Sequence, residues 1–250
     1  MSGHSKWANI KRHKAVVDAQ KGKAFSKLTK EITAASRQGG GIPEGNFRLK
    51  TAIEKAKAAN VPQDNIQRAI QRGCGPGEGE QYEELLYEGY GPGGVAVMLE
   101  IMTDNRNRTA ADIRHLFAKH GGNLGESGCV AWMFDKKGII QVEKKNAPAD
   151  EELLLLATEA GAEDLREGED AWEVVADLEG LPGVRAALED GGVRVAEVEA
   201  TYLPRSTVAV EGEEVDKLLR LLDLLEEHDD VQRVHANLEM SDEEIERVSG

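Results

Sequence analysis

Cysteine, proline and aromatic residues are all scarce in this chain of 250 residues. The two cysteines, Cys74 and Cys129, are too few for a disulfide framework and too far apart for a paired zinc or redox motif. Each reads as a small hydrophobe in a core. Aromatics make up 4% of the residues, so the cores must be built from Leu, Val, Ile and Ala. No run approaches the roughly 18 apolar residues that cross a bilayer. The opening MSGHSKWANIKRHK has no apolar stretch of the secretory kind. The expectation is a cytoplasmic protein with no membrane partner, in a reducing compartment.

Catalytic patterns are missing as well. His4, His13, His115, His120, His228 and His235 show no HExxH spacing, and no GxSxG elbow occurs. GYGPGG (89–94) precedes an apolar strand pattern and has no GK[ST], so it reads as a turn, not a phosphate loop. Asn105, in the polar bend before a helix pattern at 107–120, reads equally as a cap or as part of an anion site. The carboxylates are abundant, and none can be singled out as a catalytic pair. No catalytic residue, metal site or cofactor is expected, and the chain does not read as an enzyme.

What is present is a division of charge. The formal net charge is −15, yet residues 1–75 hold fifteen Lys and Arg against five Asp and Glu, a local +10. The remaining residues hold 16 basic and 41 acidic side chains, a local −25. Such asymmetry points to a polyanion-binding module joined to an acidic, solubilising body.

Helical periodicity covers residues 21–38, with Phe25, Leu28, Ile32 and Ala35 on one face. Gly39, Gly40, Gly41 and Pro43 end it. A second helix is expected over 44–59 with Phe47, Ala52, Ile53 and Ala56 inward. A third is expected after Pro62, capped by Asp64, carrying Ile66, Ala69 and Ile70 and ended by Gly73. GCGPGEGE (73–80) reads as a linker. Strand patterns follow at 94–103, 129–134, 138–143 (after a Lys-Lys-Gly turn), 171–177, 193–200, 206–211 and 231–239, with helices at 107–120, 150–160, 182–190 and 213–227. In the last helix Leu218, Leu222 and Leu225 read as core. The expected class is α+β and multidomain. Residues 1–75 form a basic helical domain, 76–135 plus 204–250 a discontinuous α+β domain, and 136–203 an inserted α+β domain, both with antiparallel sheets.

Residues in and before the first helix carry the candidate nucleic-acid site: Lys6, Trp7, Lys11, Arg12, His13, Lys14, Lys21, Lys23 and Lys27, with Arg37 and Arg48 flanking the glycine-rich loop. Cations on helix faces neutralise phosphates and release counterions. Trp7 could stack on an unpaired base or pack as core. The loop 37–48 could bring backbone N–H groups to a phosphate or serve as a plain connection.

Longer stretches then carry a resemblance. GHSKWANIKRHK (3–14), AQKGKAFSKLTKEI (19–32), NVPQDNIQRAIQRG (60–73), YEGYGPGGVAVMLEIMTDNRNRTAADIRH (87–115), GGNLGESGCVAWMF (121–134) and residues 202–239 resemble, in order, the YebC/PmpR family. The resemblance is weakest over 140–200. It implies a three-domain α/β protein with a helical N-terminal domain and no known enzymatic activity. Members are described as probable transcriptional regulators that bind DNA. A mitochondrial relative is described as a translational activator of cytochrome c oxidase subunit I, and bacterial members are linked to translation. The family's basic positions match Lys6, Lys11, Arg12, Lys14, Lys21 and Lys23, its tryptophan matches Trp7, and Cys129 stands where a serine or other small residue is expected. The resulting expectation is a DNA-binding transcriptional regulator, with an RNA- or ribosome-binding translation factor as the alternative. The acidic domains would be available to protein partners. A pure protein adaptor working through the leucine-rich last helix is the third reading.

Overall fold

The structure, a computed structural model, describes residues 18–75, 82–168 and 170–249, with side chains from residue 22 to residue 248 of these. Three helices open it: α1 (Asp18–Gly39), α2 (Phe47–Ala58) and α3 (Gln63–Cys74). Ile32, Ala35, Leu49, Ala52, Ile53, Ala56, Val61, Ile66 and Ala69 form their shared core, the i, i+3, i+4 faces that the periodicity marks out. Asn46 sets the start of α2. Its side chain accepts from Leu49 N and its amide donates to Ala35 O and Gly40 O at 2.8 and 2.9 Å. Asn60 adopts φ +61 and closes α2, a left-handed position that Asn tolerates.

Several sequence expectations change here. Phe47 is not inward but exposed, because it opens α2 two residues before Leu49, which sets it about 200° round the helix from that buried residue. Asp64 does not cap α3; Pro62 occupies that position without a side-chain bond, and Asp64 lies in the first turn. Gly73 does not end α3 but sits buried inside it. A Cβ there would stand 2.5 Å from Thr33 O and 3.0 Å from Arg37 N, so glycine permits the close approach of α1 and α3. The helix runs on through Cys74, which is exposed and not a core residue; most of the expected linker lies outside the described residues. Gly73→Ala should destabilise the protein by about 1–3 kcal/mol through overpacking, more than the ~1 kcal/mol that Ala gains over Gly in a helix. An unchanged urea midpoint would mean that the two backbones have room to part.

A four-stranded antiparallel sheet follows, in the order β3-β1-β2-β9. Its strands are β1 (Glu83–Tyr90), β2 (Ala96–Thr103), β3 (Asn123–Leu124) and β9 (Val231–Ala236). Helices α4 (Arg106–Lys119) and α7 (Glu213–Glu227) cover one face through Ile113, Phe117, Val215, Leu218, Leu222 and Leu225, packed on Val97, Leu99 and Ile101 of β2. The alternate residues Ala96 and Met98 meet Val130 and Phe134 on the other face. β2 is thus buried on both sides, which its continuous apolar sequence reflects. The GYGPGG segment forms a turn at Pro92–Gly94 leading into β2, and Asn105 caps α4 by accepting from Arg108 N at 3.1 Å.

Between β3 and β9 the chain builds a second antiparallel sheet, ordered β5-β6-β4-β7. It comprises β4 (Phe134–Glu143), β5 (Asp164–Glu167), β6 (Ala171–Ala176) and β7 (Glu197–Pro204). Helices α5 (Asp150–Glu159) and α6 (Leu181–Asp190) pack on it through Leu153, Ala157, Val184 and Leu188. The chain is α+β, as its sequence pattern indicates. Lys136, Lys137 and Gly138 are not a turn; they lie within β4, paired with Tyr202, Thr201 and Ala200 of β7. A Cβ on Gly138 would meet Leu181 of α6 at 2.5 Å, which explains a glycine in mid-strand. Residues 129–134 are not a strand either: Ala131–Met133 is a short 3-10 turn.

The turn follows a loop that wraps the buried side chain of Glu88. Its carboxylate accepts from Gly128 N, Val130 N and Ala131 N at 2.7, 2.8 and 2.7 Å. The expected strands at 206–211 and 231–239 are shorter. β8 (Val208–Ala209) pairs in parallel with β10 (Leu238–Glu239), and the buried Asn237 breaks the last strand by accepting from Ala96 N at 2.7 Å. A final helix, α8 (Asp242–Ser249), packs Ile245 and Val248 on the first sheet's core. β1, β5 and α8 carry no recognised pattern in the sequence.

Candidate nucleic-acid interface

The basic residues of the helical unit fall into two sets. One set turns toward the acidic remainder of the chain. Lys23 lies 3.9 Å from Glu227 at the end of α7, and Lys27 donates to Glu226 O. Lys30 donates to Asp229 O at 3.0 Å and to Asp230 Oδ1 at 2.8 Å. These partners lie at and just beyond the C-terminus of α7, where helix carbonyls favour cations. Arg48 is held by Glu31 at 2.7 Å, by Glu84 of β1 at 2.8 Å and by the side-chain carbonyl of Gln38. The bond to Glu31 raises its guanidinium pKa, against burial, and Glu84 raises it further. Lys55 reaches Glu197 and Glu199 of β7 at 3.0 and 3.7 Å.

Asp230 anchors this seam. Only 3% of the residue is exposed, and besides Lys30 it accepts from Arg108 and Thr109, each at 2.8 Å, and from Thr103. Burial pushes its carboxyl up. The hydrogen bonds from Lys30, Arg108 and Thr109 outweigh that and hold it well below the usual carboxylate range. A second buried polar group bridges β2 and β9, where His235 Nε2 meets Glu100 Oε1 at 2.7 Å with Tyr202 edge-on at 5.3 Å. Burial raises the Glu100 carboxyl, but His235 and then Arg233 and Lys136 bring it below its ordinary value.

The other set of cations faces solvent. Lys50, Lys57 and Arg72 are exposed and make no ion pair with any described residue. Among the described residues Arg68 bonds only to the neutral Asp64 O and Asn65 Oδ1. Arg37 is exposed in the last turn of α1.

Among the expected site residues, Lys23, Lys27 and Arg48 are therefore brought to the seam with the body, whereas Arg37 is exposed in the last turn of α1. Lys21 lies on α1. Lys6, Trp7, Lys11, Arg12, His13 and Lys14 lie outside the described residues. Flanking the Pro43–Gly45 turn the structure adds two apolar groups that sequence reasoning did not place in a site: Ile42 and Phe47 are 71% and 74% exposed. Among the described residues, no group of three or more His, Cys, Asp and Glu is placed to hold a metal, and no helix is long and apolar enough to cross a membrane.

Two family models cover almost the whole chain. The TACO1/YebC protein N-terminal domain matches residues 5–76, and the TACO1/YebC second and third domain matches 82–238. The chain belongs to the TACO1/YebC family. A protein of Pelotomaculum thermopropionicum is 60% identical over 243 residues, 97% of this chain and 100% of that one. One of Dictyoglomus turgidum is 52% identical over 249 residues, 100% of both. Each is described as a "Probable transcriptional regulatory protein". The fold recurs in a crystal structure of a conserved hypothetical protein from Aquifex aeolicus, 53% identical, with a TM-score of 0.82 over 92% of this chain and 94% of that one.

Proposed function

We propose that this member of the family is a non-enzymatic, cytoplasmic regulator of transcription that binds DNA through its basic helical unit, residues 1–75. The observation that carries it is the set of outward cations, Lys50, Lys57, Arg68 and Arg72, which have no carboxylate partner among the described residues of a chain of net charge −15. In so acidic a protein, exposed cations that escape internal pairing suit an external polyanion. Lys6, Lys11, Arg12, Lys14 and Lys21 add to the basic charge of this unit in sequence, with Trp7 and His13 among them. The names of the relatives support a role in transcription. The two α+β units, 76–135 plus 204–250 and the inserted 136–203, then orient the basic unit and offer acidic surfaces to protein partners.

The test is salt-dependent binding to duplex DNA by fluorescence anisotropy. Replacing Lys50, Lys57 and Arg72 together with Ala should flatten the slope of log K against log salt by about 2–3, since each lost phosphate contact removes about 0.9. Replacing Lys23 and Lys27 should change that slope by less than about 1, because their partners are internal. Equal effects of the two sets would sink the assignment of the outward surface.

A second reading, an RNA-binding translation factor acting on the ribosome, is favoured by one observation: Phe47 and Ile42 present exposed apolar surface on the basic unit, which suits unpaired bases more than a duplex backbone. Crosslinking in cells followed by separate RNase and DNase digestion separates the two. DNA peaks near promoters support the first, and recovery of ribosomal RNA alone replaces it with the second.

A further inference from the structure

The seam between the helical unit and the body is polar. Among the described residues each buried apolar cluster lies wholly on one side of it, Ile32 to Ala69 within the unit and every other cluster from Leu85 onward. Ion pairs and hydrogen bonds are what cross it. Residues 1–75 are continuous in sequence, so one stretch of chain joins the two sides.

The cations on the inward side are regularly spaced. Lys23, Lys27 and Lys30 stand at i, i+4 and i+7 of α1, which puts them on one face. Arg48 and Lys55, two turns apart, share a face of α2 in the same way. Opposite them the body sets carboxylates from separate elements: Glu227 and Asp230 at and beyond the end of α7, Glu84 of β1, and Glu197 and Glu199 of β7. Five cations thus meet five carboxylates, a row of negative groups such as a phosphate strand presents. Lys30 also lies 5.7 Å from the centre of the Tyr82 ring, and Glu31, which belongs to the unit itself, stays with Arg48 on either account.

Such contacts exchange readily. Apart from Asp230, the body carboxylates of the seam are at least a quarter exposed, so water and salt reach them. Lys and Arg give phosphate oxygens the same donors that they give carboxylates, and no shared apolar core has to part when they do.

We infer that this inward face, Lys23, Lys27, Lys30, Arg48 and Lys55, is a second binding surface for a nucleic-acid phosphate backbone, which the body's carboxylates cover in the free protein. The seam is then an autoinhibitory contact. It withholds the five cations from weakly held polyanions and yields them to a strand already engaged by the outward set. This rests on the nucleic-acid reading above and adds to it a set of cations that is silent while the seam is shut.

The full chain carrying Glu84→Gln, Glu197→Gln and Glu227→Gln is compared with the parent in titrations of labelled duplex DNA and of an RNA hairpin with the same number of phosphates, over a range of salt. Asp230 is left in place because the fold depends on it. The seam variant should bind about 3- to 30-fold more tightly at a given salt, with a slope of log K against log salt steeper by about 2–4. A charge-matched variant, Glu151→Gln with Glu152→Gln and Glu159→Gln, removes three exposed carboxylates of α5 that have no ion pair among the described residues. Its slope should stay within about 1 of the parent's. Adding Lys23→Ala and Lys27→Ala should flatten the seam variant's slope by about 2, against less than about 1 in the parent. A gain on one probe supports the covered surface and names the strand; a gain on both assigns it to the backbone they share. Equal gains in the seam and charge-matched variants, or a Lys23 and Lys27 effect of one size in both backgrounds, overturn it and leave the outward surface standing. If the seam variant does not unfold cooperatively, Glu197→Gln alone repeats the test, with Lys55→Ala costing more affinity in that background than in the parent. A parent that binds neither probe overturns both readings.

Discussion

Replacing Asp230 with Ala should lower the unfolding free energy by about 3 kcal/mol, because it strands buried cationic and hydroxyl donors without their acceptor. The carboxylate takes bonds from Lys30, Arg108, Thr109 and Thr103 at once, and it joins α1 to the start of α4 and the approach to β9. Arg108 is about half exposed and can rehydrate, which keeps the loss at the lower end of the range for broken buried pairs. For a chain of this length the corresponding fall in Tm is about 6–12 °C. The pH dependence carries a sign as well. Asp230 has a depressed carboxyl pKa in the fold. Its stabilisation is therefore complete above the unfolded value of about 4 and fades as the pH falls below it. The stability gap between the parent and Asp230→Asn should then narrow on going from neutral pH to about pH 2. A gap that stays constant over that range would mean the charge on Asp230 contributes nothing.

Removal of Glu88 should have a comparable effect at a different place. Glu88→Ala leaves Gly128, Val130 and Ala131 without the acceptor that organises their loop. Val130 N is buried and Gly128 is open to water, so the three losses are unequal. At about 1–3 kcal/mol for a buried unpaired donor, a total of about 2–4 kcal/mol is expected. Glu88→Gln keeps an oxygen acceptor and should lose about half as much. Amide hydrogen exchange reads the loop directly: protection at residues 128–131 should drop in Glu88→Ala while that of β2 persists. Simultaneous loss everywhere would make Glu88 a general core residue and not the organiser of one loop. Trp132, exposed and tethered to Cys129 O at 3.1 Å, rides on this loop.

Much of this architecture can be read from the chain alone because helices announce themselves by period. The Leu218–Leu225 stripe and the Ile32–Ala35 stripe are both buried as their spacing requires. The elements that escape are those whose identity is settled by neighbours. β1 reads as an acidic stretch with scattered apolar residues, yet β2 pairs with it along its whole length. Lys136-Lys137-Gly138 has the composition of a turn, and pairing with β7 at all three residues, joined by β6 from Gly138 on, keeps this part of β4 extended. Phe47 looked inward because it is apolar, but a helix's first residue precedes the face that its later turns bury. The same limit holds for the interface. Charge counting separates a basic unit from an acidic body. It does not separate Arg48, which is enclosed by Glu31 and Glu84, from Lys50, two residues on and exposed. Only the packing of distant segments distinguishes a cation that has found its partner from one still open to an external one.

The first sheet is closed by a strand that the ribosome makes last. Val97 of β2 pairs with Ala236 of β9, so at about 5–20 residues per second the edge of β2 waits roughly 7–28 s for its neighbour. During that interval a strand apolar on both faces stands open, the condition under which nascent chains associate wrongly. The second sheet, whose strands all fall between residues 134 and 204, is complete before β9 emerges and offers β2 cover on one side only. Asp230 arrives in the same late stretch, 200 residues after the Lys30 with which it pairs. The contacts that tie α1 to the end of α7 are thus among the last that the chain can make.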